Sequence, residues 1–161
     1  MRVIPYIIYL LIIGLNQVIL RDITNIYGAS LNLAAFLVVA VALYKSELTA
    51  AWFGFAAGIV ISAGEPQLIG WHALIFTLLG VIAYHVKERV NLESFYSKLL
   101  LIFGGVLIEN IVALLMVGSN AFFYRLWSVA LIGAVYTVVV ALIFFLFKEG
   151  IITARKVRSI F

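Results

Sequence analysis

Nearly the whole chain divides into six apolar runs joined by short polar breaks, and its Lys and Arg residues fall at every second break. Such a pattern leaves few folds open. Inside hydrocarbon every backbone N–H and C=O must find its partner within the protein, so apolar runs of this length read as membrane-crossing helices. A water-soluble core does not account for a chain that is 66% hydrophobic and only 11% charged, with a mean hydropathy of +1.21.

A spanning helix needs about 20 predominantly apolar residues. Six segments approach this: Val3 to Leu20, Gly28 to Tyr44, Leu48 to Ala63, Ile69 to Val86, Lys98 to Val117 and Tyr124 to Phe147. The third is the weakest by this measure, being short and rich in Gly and Ala. Residues 1–147 therefore read as one all-α transmembrane domain, a compact bundle of six helices. Residues 148–161 form a basic tail, and none of the connections is long enough to hold a folded domain.

Cytoplasmic loops carry excess Lys and Arg, which fixes the expected orientation. With the N-terminus inside, nine of the eleven basic residues are cytoplasmic: Arg2, Lys45, Lys87, Arg89, Lys98, Lys148, Arg155, Lys156 and Arg158. Only Arg21 and Arg125 face out, so both termini are expected in the cytoplasm. The same distribution argues against nucleic acid as a partner, because the charge marks the ends of apolar runs and does not line one face. In the tail, Lys148, Arg155, Lys156 and Arg158 alternate with apolar residues. They are expected either to lie on anionic lipid or to serve as a plain positive-inside anchor.

Polar residues within the runs carry what chemistry there is, since hydrocarbon makes each of them costly. Glu109, beside Asn110, sits near the middle of the fifth run with apolar sequence on either side. Two roles are open for it: a proton-relay or ligand-binding acid, or a neutral or hydrogen-bonded carboxyl that fixes helix packing. Asn16, Gln17 and Asn32 fall in the outer half of the bundle, where their amides either bridge helices or line a small outward pocket. Ala50, Gly54, Gly58 and Ser62 place a small residue every fourth position, a stripe that suits close backbone contact with another span or with a partner protein. His72 and His85 stand thirteen residues apart on one helix, about 20 Å at 1.5 Å per residue, too far to share a metal. Cysteine is absent, and no HExxH, Gly-x-Ser-x-Gly or phosphate-cradling glycine loop occurs. No enzyme, metal site or cofactor is expected.

The segment Trp52 to Tyr84 resembles the rod shape-determining protein MreD family. Its features are Gly54-Phe55-Ala56-Ala57-Gly58, an outer turn at Pro66, then Gly70-Trp71-His72-Ala73-Leu74, and a later Gly80 with Tyr84. Chain length, the basic C-terminus and the last run, Tyr136 to Phe147, are also similar to that family. This chain departs from the pattern at three places: Ser62 or its apolar neighbours stand where an aspartate is typical, the Pro-to-Gly spacing is longer, and Thr137 follows Tyr136 where asparagine is common. The resemblance implies a non-catalytic scaffold of the bacterial cell-elongation machinery in the cytoplasmic (inner) membrane. It would bind MreC, and through MreC would help connect MreB filaments to RodA and a class B penicillin-binding protein. An alternative of a different class is the substrate-binding subunit of an energy-coupling-factor vitamin transporter, also a small six-span bundle. Its pocket would draw on Asn16, Gln17, Asn32, His72 and Glu109.

Overall fold

The computed structural model describes residues 3–20, 31–64, 66–90, 94–117 and 122–148. The tail residues Arg155, Lys156 and Arg158, Glu65 of the outer turn and the loop around Arg21 lie outside the described residues. Among the described residues the chain is helical with no strand.

Pro5, in the first turn where its missing N–H costs nothing, opens α1 (Ile4–Leu15), which widens into a π segment at Asn16–Leu20. Asn32 caps α2 (Leu33–Tyr44) with its own side chain: Oδ1 accepts a hydrogen bond from Ala35 N at 3.1 Å. Next come α3 (Glu47–Ile61) and α4 (Ile69–Arg89), separated by 3-10 turns at Ser62–Gly64 and Pro66–Leu68. Lys87 and Arg89 close α4, where cations suit the negative end of the helix dipole. After α5 (Phe95–Val117), a short helical turn at Phe122–Arg125 and a π segment at Leu126–Leu131 lead into α6 (Ile132–Lys148) as one rod.

Four of these rods are long and apolar enough to cross a membrane: Glu47–Gly64, Pro66–Arg89, Phe95–Met116 and Phe122–Phe147. The six-span expectation is therefore met at four positions, while α1 with its π segment and α2 are shorter apolar helices. The order of strength also changes. The third run, expected to be the weakest, reaches 18 residues because its 3-10 turn prolongs it. In the second run, expected from Gly28, the described helix is the 12 residues of α2, about 18 Å against the roughly 30 Å of a hydrocarbon core.

That shortness goes with a central position. Every residue of α2 from Ala34 to Leu43 is buried, so the helix is enclosed on all sides by its neighbours. Aromatic contacts hold it there: Phe36 meets Phe144 edge-on at 5.5 Å, and Tyr44 lies 6.3 Å from Phe145. The outer faces are apolar and open, as on α1 (Ile7, Ile8, Leu11) and α4 (Leu74, Leu78, Ile82). An exposed apolar surface of that extent belongs against lipid tails.

The stripe Ala50, Gly54, Gly58 and Ser62 is buried on α3 against α4. A Cβ at Gly58 would stand 2.5 Å from Ala73 Cα, and one at Gly54 would collide with the Phe76 carbonyl. From the other side, Gly80 of α4 faces Ala50 O, 2.7 Å from where its own Cβ would be. Lipid tails are as apolar as leucine, so association of these two helices draws on this backbone-to-backbone contact more than on a hydrophobic drive.

Candidate functional site: a polar cavity at one end of the bundle

Glu109 is buried on α5, and its carboxyl Oε2 accepts a hydrogen bond from Asn32 Nδ2 at the start of α2. The same Nδ2 donates to Asn110 Oδ1 at 3.0 Å, and Asn110 Nδ2 donates onward to Ala130 O at 3.1 Å. Ala130 lies in the second π segment, where the usual i→i−4 ladder is widened. Asn32 also donates its backbone N–H to Thr137 Oγ1 at 3.1 Å, and that hydroxyl donates to Gly133 O at 2.8 Å. Both polar arms of Asn32 are thus spent on joining α2 to α5 and to the last rod. The carboxyl of Glu109 lies at the positive end of the α2 dipole, a favourable place for negative charge.

Beside this network is a cavity of about 380 Å³. Asn16 and Gln17 from the first π segment, Asn32, His72, Glu109 and Asn110 supply its polar lining, with apolar walls that include Ile13, Ile61 and Leu114. The structure brings together the five residues named from sequence for an outward pocket, although they belong to four different helical rods. Asn16 differs from the others. It is only 8% exposed, and its Oδ1 has no hydrogen-bond partner among the described residues. Among the described residues no Lys or Arg lines the cavity.

Two contributions were not legible in the sequence. Thr137 stood out there only as a departure from a family pattern, yet it is fully buried and bonds the start of α2. The π segments gave no periodic signal, yet one presents Asn16 and Gln17 and the other Ala130.

The turn between α3 and α4 is arranged differently. Ser62 Oγ donates to Gly58 O at 2.9 Å, so its lone pair accepts from His72 Nδ1 at 2.9 Å, a bond that ties α4 to the end of α3. Pro66 lies in the turn, and Gly70 faces open space. His85, by contrast, is exposed and donates from Nδ1 to Val81 O at 3.0 Å. Among the described residues no group of three or more His, Cys, Asp or Glu is placed to hold a metal ion.

These features define a class: an α-helical membrane protein whose central short helix ends at a polar, partly buried cavity. Comparison with family models, curated proteins and solved structures finds no match for the chain.

Proposed function

We propose that this chain is a non-catalytic scaffold of the bacterial cell-elongation machinery, seated in the cytoplasmic membrane with both termini inside, and that it binds MreC. The carrying observation is the Trp52–Tyr84 segment. The glycines that make it resemble the MreD family, Gly54, Gly58 and Gly80, are those whose missing side chains let α3 and α4 touch. The motif thus has a physical reason in this chain, and a packed hairpin with apolar outer faces suits a single-span partner helix. RodA, a class B penicillin-binding protein and MreB would be reached through MreC. The basic tail would add attraction to anionic lipid.

Co-expression with tagged MreC followed by purification in mild detergent tests this reading. Stoichiometric recovery is the expected result. Failure to co-purify, with the chain itself folded and in the membrane fraction, would count against it.

A second reading draws on the cavity. Convergence of Asn16, Gln17, Asn32, His72 and Glu109 on one space favours the substrate-binding subunit of an energy-coupling-factor transporter. Recovery of an ATPase module in the same purification, without MreC, would favour it over the scaffold.

A further inference from the structure

We infer that the cavity between the first π segment, the start of α2 and α5 binds a small organic amine. The ammonium group would sit between Asn16 Oδ1 and the Glu109 carboxyl. This inference rests on the cavity and not on either functional reading.

The reasoning is an accounting of donors and acceptors. The amide donors of Asn32 are taken by Glu109 and Asn110 and its Oδ1 by Ala35 N, while Asn110 accepts from Asn32 at Oδ1 and gives one of its two amide hydrogens to Ala130 O. The buried atom left without a partner among the described residues is an acceptor, Asn16 Oδ1, and the hydrogen bond seen at the neighbouring Glu109 carboxyl leaves that group with acceptor capacity to spare. A buried acceptor without a donor costs roughly 1–3 kcal/mol, which a ligand N–H would recover. Among the described residues no Lys or Arg lines the space to satisfy the carboxyl from within. An ammonium brings three donors and a compensating charge, whereas a carboxylate ligand would meet acceptors and like charge.

Size and surroundings narrow the class further. The cavity's 380 Å³ falls in the range of small-molecule sites, roughly 300–1,000 Å³. Glu109, Leu68 and Met116 also border an apolar groove between α4 and α5 whose walls include the outward-facing Leu74, Leu78 and Ile82. The carboxyl therefore stands where polar and apolar spaces adjoin, which suits an amine carrying an apolar body.

The test uses the full chain in lipid nanodiscs with three matched probes, phenethylamine, 2-phenylethanol and phenylacetate, and empty nanodiscs to subtract partitioning. Saturation-transfer NMR titrations should show the amine binding at least about tenfold more tightly than the alcohol or the acid, the size of one charge-assisted hydrogen bond. Asn16→Ala removes no internal hydrogen bond among the described residues, so it should leave the bundle folded and weaken the amine about tenfold. Glu109→Gln should weaken it at least as much. Equal binding of the three probes, undetectable binding of all three, or an unchanged amine affinity in Asn16→Ala would each overturn the proposal. The Asn16 result stands even if Glu109→Gln misfolds. MreC co-purification is read separately, so the scaffold proposal and this one fail independently.

Discussion

The α3–α4 hairpin and the Asn32 end of the bundle solve opposite problems with opposite residues. In the hairpin, side chains are removed until backbones meet, and a side-chain bridge, Ser62 to His72, sits at the turn. At the Asn32 end, polar side chains are added and a space is left between them. Glycine there would serve no purpose, because the helices are held by directed hydrogen bonds rather than by contact area. The comparison teaches that a membrane bundle can assign tight packing and polar recognition to different helix pairs. The central α2, buried along its length, joins the two.

If the division is real, substitutions in the hairpin should act on assembly and those at the Asn32 end on the cavity. The largest effect is expected for Gly58→Val. Its side chain would enter the space held by the Ala73 backbone, which cannot withdraw as a flexible side chain can. A loss of about 3 kcal/mol, the upper range for overpacking, should appear as unfolding at lower denaturant in mixed micelles. Near-normal stability would mean that the helices are free to separate.

Asn32→Ala comes next. It removes the α2 cap and the donor to Glu109 and Asn110 together. An N-cap alone is worth about 1 kcal/mol and a hydrogen bond to a charged group about 1.5–3. Stability should fall by about 2 kcal/mol in the same assay, with faster hydrogen exchange confined to the first turn of α2. Uniform loss of protection would deny that end its separate character.

The smallest change is expected for Ser62→Ala. Interhelical hydrogen bonds in membranes average about 0.6 kcal/mol, and the hairpin's glycines remain. Stability should fall by less than about 1 kcal/mol. A larger loss would show that the hairpin leans on this bond as well as on backbone contact.

Much of the hairpin was legible in the sequence, because a four-residue spacing of small residues states which face of a helix must be approached closely. The gathering at the other end was legible in part. Successive spans run in opposite directions, so Asn16 near the end of one run and Asn32 near the start of the next fall at the same end of the bundle. What could not be read was the length and burial of α2. An apolar run of that kind reads alike whether it faces lipid or other helices, since both are apolar solvents for it. Nor did spacing reveal that Thr137, distant in the chain, would receive the Asn32 N–H.

By itself, then, the order of residues settled that this is a helical membrane protein, through hydropathy and the need to satisfy the backbone within each helix. The same order marked where small and polar side chains interrupt the apolar runs. Tertiary structure alone showed which four rods, among the described residues, are long and apolar enough to cross. It also placed a short helix at the centre and left Asn16 Oδ1 without a partner among the described residues, in the cavity that Glu109 lines. The physical reason is that hydropathy is a property of each segment, whereas burial among helices and the meeting of donor with acceptor are properties of pairs.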